Sequence, residues 1–166
     1  MKKILITFLV ISLTQPIISI AYWSYYRDRV PMFIPVDCNG SIEIRNDRYG
    51  NGHFGAKRRG GRTHKGIDLL ASLKSNVYAS RGGRVIIGYQ ETGMGKYVII
   101  IHPGGYSTLY GHLSGILAKD GSRVRQGEII GLIGKTGNAN HRGLLAHLHF
   151  EVKKDGIVID PAIFFD

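Results

Sequence analysis

From Ile42 onward the chain is a succession of short β-type runs separated by glycine, and this texture limits its fold more than any other feature. The runs are Val77 to Ala79, Arg84 to Tyr89, Tyr97 to His102, Ser107 to Tyr110, Ile129 to Ile133 and His147 to Lys153. Gly82-Gly83, Gly93, Gly95, Gly104-Gly105, Gly121, Gly127 and Gly137 lie between them. Runs of β-branched and aromatic residues bounded in this way read as strands joined by tight connections. No segment carries the 3.6-residue apolar period of a helix. The expectation is an all-β domain, an antiparallel β-sandwich or half-open barrel. At 166 residues the chain supports one domain with a proper core and crowds two.

The first residues have a different character. Lys2 and Lys3 precede an apolar run from Ile4 to Leu13, Pro16 interrupts it, and Ser19-Ile20-Ala21 offers small residues where a signal peptidase reads. Residues 1–21 are therefore expected to form a hydrophobic helix that is either a cleaved signal peptide or a membrane anchor. The anchor reading extends to about residue 23, because Ile17, Ile18, Ile20, Ala21, Tyr22 and Trp23 bring the stretch near the roughly 20 residues that span a bilayer. Both alternatives place the remainder outside the cytoplasm. Residues 22–41, with Pro31, Pro35 and Arg27-Asp28-Arg29, read as a linker or strap, and 42–166 as the folded domain.

Cys38 is the single cysteine, so the chain can close no disulfide on itself, and a metal would have to sit on histidine and carboxylate. Cys38 reads as an inert or partner-linked thiol. The net charge of +10 favours anionic partners such as acidic lipid, nucleic acid or wall polymer. Lys57, Arg58, Arg59, Arg62 and Lys65 concentrate that charge around His64.

Four residues in two short motifs are candidate metal ligands: His64 and Asp68 in His64-Lys65-Gly66-Ile67-Asp68, and His147 and His149 in His147-Leu148-His149-Phe150-Glu151-Val152. Along a strand, alternate residues share a face, so His147, His149 and Glu151 face one way while Leu148, Phe150 and Val152 face the other. The apolar set is expected in the core. A straight strand would hold the α-carbons of His64 and Asp68 roughly 13 Å apart, so a turn at Gly66 is expected to fold both towards one point. His112 ends the run Ser107 to Tyr110-Gly111-His112 beside a loop, a common place for functional residues. Tyr110 shares its parity with His112 and is a candidate groove residue. Glu151 is either a partner that orients a ligand or an ordinary solvated carboxylate. His53, His102 and His141 read as surface or loop residues.

The order His64-x-Gly-x-Asp68, Tyr110-Gly-His112-Leu113, Gly131-x-x-Gly134-x-Thr136-Gly137 and His147-Leu-His149-Phe-Glu151 resembles the lysostaphin-type (LytM-domain) zinc metallopeptidases, from about Asn51 to Asp160-Pro161. The resemblance implies their fold, a lysostaphin-like sandwich of the duplicated hybrid motif type. It also implies one Zn2+ held by His64, Asp68 and His149, with His112 and His147 as catalytic histidines. The implied activity is hydrolysis of peptide cross-links in bacterial peptidoglycan by a metal-activated water. The partners would be peptidoglycan stem peptides and no nucleic acid, in the periplasm or cell envelope. Arg62, Tyr110 and Asn138 are candidates for the substrate groove. Ile44-Arg45 through Asp47, Gly50 to Gly52 and Lys65 to Asp68 also resemble a secreted vertebrate chemotaxin of the same fold. A non-catalytic zinc-binding wall module that recruits or activates another hydrolase is therefore the alternative. The connection Asn138 to Ala146 is longer and more apolar than the family's usual loop and is expected to border the substrate groove. A direct stem-peptide cross-link is expected over a polyglycine bridge, since a separate wall-targeting domain does not fit in this length.

Overall fold

The computed structural model describes residues 31–38 and 41–165. The expected signal or anchor helix, residues 22–30 of the strap, and Asn39 and Gly40 lie outside the described residues.

Twelve strands are found among the described residues: β1 (Asn46–Asp47), β2 (Gly50–Asn51), β3 (Ile67–Leu70), β4 (Asn76–Tyr78), β5 (Gly83–Gln90), β6 (Gly95–Ile101), β7 (Tyr106–Leu113), β8 (Gly115–Ile116), β9 (Arg123–Val124), β10 (Ile129–Leu132), β11 (His147–Lys154) and β12 (Ile157–Ile159). Each of the six runs read from the sequence is a strand, with ends within about two residues of expectation except in β7, which runs on to Leu113. All strand pairings are antiparallel. A seven-stranded sheet has the order β12-β11-β7-β6-β5-β9 with β3 also on β11, and a three-stranded sheet has the order β4-β10-β8.

The two sheets share one apolar core. It takes alternate residues from each strand, as a half-buried sheet requires: Val85 from β5, Val98 and Ile100 from β6, Leu148, Phe150 and Val152 from β11, and Val77 and Ile130 from the smaller sheet. Met32 and Val36 join this core, Phe33 N–H donates to Ser80 C=O, and Tyr78 N–H donates to Pro35 C=O. Residues 32–36 of the strap are thus part of the domain's own packing.

β11 is the strand that positions the site. One of its edges pairs with β7 over His149 to Lys154, and the other takes β3 over His147 to Phe150 and then β12 over Val152 to Lys154. Its apolar side chains anchor it in the core, so the opposite face presents His147, His149 and Glu151 on a rigid base.

Candidate metal centre

The β3–β11 register sets Asp68 directly opposite His149. His64 arrives from outside the sheet through a bend at Gly66, which brings His64 Nε2 to 3.1 Å from Asp68 Oδ1. Gly66 is required by close approach: a Cβ there would lie 2.2 Å from Phe150 O and 2.9 Å from Glu151 Cγ. Gly66→Ala must push β3 away from β11 and is expected to lower unfolding stability by about 1–3 kcal/mol, measured by urea denaturation. An unchanged midpoint would contradict this account of the bend.

His149 Nδ1 lies 3.0 Å from both Asp68 Oδ1 and His64 Nε2, so three ligand atoms form a near-equilateral triangle. All three residues are buried. Their outer atoms fix which lone pairs point inward. His64 Nδ1 donates to the carbonyl of His53 at 2.9 Å, which leaves an unprotonated Nε2 in the neutral ring. His149 Nε2 donates to Glu151 Oε1 at 3.1 Å, which leaves the lone pair on Nδ1. Three acceptors therefore face one another in a buried space, an arrangement that repels itself unless a cation lies among them. Ligand atoms around a tetrahedral zinc with bonds of about 2.0–2.1 Å stand roughly 3.3–3.4 Å apart, close to the spacing here. Two imidazoles and one carboxylate oxygen, backed by hydrogen-bonded outer partners, suit a single Zn2+.

In the absence of a cation a proton takes its place among these atoms, and the electrostatics show how strongly positive charge is held there. Burial pushes the Asp68 carboxyl up, but hydrogen bonds from His149 and His64 override it and hold the group well below the usual carboxylate range. Burial pushes His149 down, and its bonds to Asp68 and Glu151 more than reverse that. Without a metal, this pocket retains a proton instead.

His112 and His147 flank the triangle. Their ring centroids are 5.1 Å apart, and His112 lies 5.9 Å from the His149 ring. His147 Nδ1 donates to Leu145 C=O at 2.8 Å and His112 Nδ1 to Thr136 C=O at 2.9 Å. Each neutral ring thus carries its lone pair on Nε2. Burial lowers both pKa values, that of His112 to about 3 with help from the neighbouring His147 and His149 charges.

Strand parity fails at His112, and the failure places the residue. Tyr110 pairs with Phe150 and Gly111 with His149, so plain alternation would turn His112 into the core beside Tyr110. His112 instead has a φ of 63°, a left-handed conformation uncommon for a non-glycine residue and enriched at functional sites. This step turns His112 onto the site face and returns Leu113 to the core. Gly134 makes it possible, since a Cβ there would sit 2.5 Å from His112 O and 2.2 Å from Ser114 N.

The groove expectation for Tyr110 is overturned for the same reason. Tyr110 is fully buried, with its hydroxyl accepting from Ser80 N–H and Thr108 Oγ1. Arg62 is exposed beyond a 3-10 turn, and Asn138 is exposed on another. His53 and His141 are exposed as expected, whereas His102 is buried, donating from Nδ1 to Gly82 C=O and bonded through Nε2 to Thr108. Glu151 is the His149 partner rather than a solvated carboxylate. Sequence reasoning placed Arg58 only in the basic cluster beside His64 and gave Arg45 no role, yet both donate to Asp68 Oδ2; neither motif spacing nor parity carries a signal for this contact.

Residues 62–161 match the model of peptidase family M23. The chain is 40% identical over 101 residues to an uncharacterized metalloprotease of Haemophilus influenzae, covering 60% of this chain and 20% of that protein. It is 39% identical over 100 residues to the DD-carboxypeptidase/endopeptidase Mpg of Neisseria meningitidis, covering 60% of this chain and 22% of that protein. It thus spans about a fifth of the length of these relatives. A solved zinc-containing peptidase from Vibrio cholerae superposes with a TM-score of 0.64 at 32% identity, over 79% of this chain and 39% of the other.

Proposed function

The chain belongs to peptidase family M23, and on that premise we propose that it is a zinc-dependent endopeptidase that hydrolyses peptide cross-links of bacterial peptidoglycan. The observation that carries this reading is the buried triangle of His64, Asp68 and His149 with the His112–His147 pair beside it. His64, Asp68 and His149 are the metal ligands in this reading, and His112 and His147 the catalytic histidines.

Zinc, when bound, supplies Lewis-acid polarisation of a peptide carbonyl and a water made nucleophilic at neutral pH. The remaining work falls to the chain. His112 and His147, each fixed by Nδ1–H on a backbone carbonyl, offer Nε2 to the reacting groups. One imidazole accepts the proton of the attacking water. A protonated imidazole then hydrogen-bonds the developing oxyanion and delivers a proton to the leaving amine. Their burial lowers both pKa values, so both rings are neutral near pH 7 with Nε2 unprotonated.

The substrate reading draws on the Neisseria relative, whose name gives it DD-carboxypeptidase and endopeptidase activity. A stem-peptide cross-link in the periplasm or cell envelope fits that relative and the basic charge of this chain. Residues 1–21 are assigned as export signal or anchor, 22–41 as strap and 42–166 as the catalytic domain, with Arg62 and Asn138 beside the substrate. Sacculi treated with purified protein are expected to lose cross-linked muropeptides in favour of monomers in a chelator-sensitive manner. Binding to sacculi without loss of cross-links would identify a non-catalytic wall module instead.

A further inference from the structure

The side of Asp68 that faces away from the histidines is as fully built as the side that faces them. Arg45 Nη2 donates to Asp68 Oδ2 at 2.9 Å, and Arg58 Nη2 donates to the same oxygen at 3.3 Å. Arg45 is itself fixed, because its Nη1 donates to Asp47 Oδ1 at 2.7 Å and that oxygen also accepts Tyr49 N–H. Arg58 Nη1 donates to Asn51 C=O at 2.6 Å. The Arg45 side chain is 6% exposed and that of Asp68 4%, so the pair lies in a weakly screened environment where charge-assisted bonds are strong.

The backbone is tied to the same point. Arg45 N–H donates to Asp68 C=O, Asp68 N–H to Gly52 C=O, and Gly52 N–H to Arg45 C=O. This closed ring locks the β1–β2 hairpin onto the ligand residue. It needs glycine at position 52, where a Cβ would stand 2.6 Å from Arg45 O and 2.9 Å from Asp68 Cβ.

We propose that Arg45 and Arg58 are positioning residues for the metal: a guanidinium clamp, anchored by Asp47, that occupies Asp68 Oδ2 and leaves Oδ1 as the single carboxylate oxygen offered to zinc. The proposal rests on the metal-site reading above and deepens it. A free carboxylate rotates and can present either or both oxygens to a cation. Held by two guanidinium groups on one oxygen, it presents the other in one fixed direction. Lysine cannot reproduce this at position 45, because a point charge does not span Asp47 and Asp68 as a planar fork does.

The test measures Zn2+ affinity of the full chain by competition with a chromophoric chelator, and the visible spectrum of the Co2+-loaded protein. The variants are Arg58→Gln, Asp47→Asn and Arg45→Lys, each checked for folding by circular dichroism. Outer-partner loss at metal sites typically costs 10- to 100-fold in affinity. Arg45→Lys is expected in that range. Arg58→Gln and Asp47→Asn are expected near tenfold, with an altered Co2+ spectrum. Should Arg45→Lys fail to fold, the other two decide, since Arg58 is partly exposed and Asp47→Asn leaves both guanidinium groups in place. Zn2+ affinity within twofold of the parent in folded Arg58→Gln and Asp47→Asn, with unchanged Co2+ spectra, overturns the clamp. Weakened affinity in a chain whose parent never cleaves peptidoglycan would remove the proposed activity and leave the clamp standing.

Discussion

Replacing His147 with alanine is expected to lower cross-link hydrolysis by about 10²- to 10⁴-fold, the usual contribution of a positioned general acid or base, while Zn2+ still binds one equivalent. The two readouts separate because His147 stands beside the triangle without forming part of it. Its Nδ1 is committed to Leu145 C=O, so in the proposed mechanism the side chain has Nε2 alone to offer. His112→Ala is expected to fall in the same range. The double variant should lose less than the product of the single losses, because the two rings lie 5.1 Å apart and act on one proton inventory. Rates are read by chromatography of muropeptide products and metal content by elemental analysis. A His147→Ala protein with parental rate would remove the residue from the mechanism.

The second large effect is at His149, where metal, activity and stability should fail together. His149 connects Asp68 Oδ1 to Glu151 Oε1, and both carboxylates are buried. Alanine there leaves two buried acids without the imidazole between them. Breaking a buried charged pair from one side typically costs about 3–5 kcal/mol. His149→Ala is expected to bind no Zn2+, show no hydrolysis and melt below the parent. Chelation of the parent should reproduce the loss of activity and be reversed by one equivalent of Zn2+, whereas the variant should not recover. Zn2+ should raise the melting temperature of the parent alone, since only a folded-state ligand site stabilises by mass action. Equal Zn2+-dependent stabilisation of both proteins would place the metal elsewhere.

How much of this was legible beforehand varied with the physics behind each feature. Strands were readable wherever apolar alternation and glycine boundaries coincided, as in β5, β6 and β11. β3 was missed because Ile67 to Leu70 is short, is buried almost throughout, and begins directly after the bend at Gly66. Alternation in β11 placed Leu148, Phe150 and Val152 in the apolar core as read, but the opposite face, with His147, His149 and Glu151, is buried as well and not open. The same rule failed in β7, where one left-handed residue reverses the alternation at His112. Alternation cannot announce its own exception, although Gly111 before the histidine and Gly134 against it mark a crowded backbone. Tyr110 was misplaced by that step alone. Arg45 and Arg58 reach Asp68 from 23 and 10 residues away in the chain, and such a contact is set by the hairpin's docking rather than by a local pattern. His102 illustrates the complementary error: a histidine at a strand end was read as exposed, but partners at both ring nitrogens satisfy it in the interior.

The central claim is that one zinc ion held by His64, Asp68 and His149 serves a hydrolysis assisted by His112 and His147. The most direct test mixes metal-free protein with a defined cross-linked muropeptide dimer and titrates Zn2+, recording bound metal by native mass spectrometry and products by mass in the same samples. Monomers carrying one added water, appearing in proportion to Zn2+ bound up to one equivalent and absent with His149→Ala, are the predicted result. Protein fully loaded with one Zn2+ that leaves the dimer intact would contradict the account.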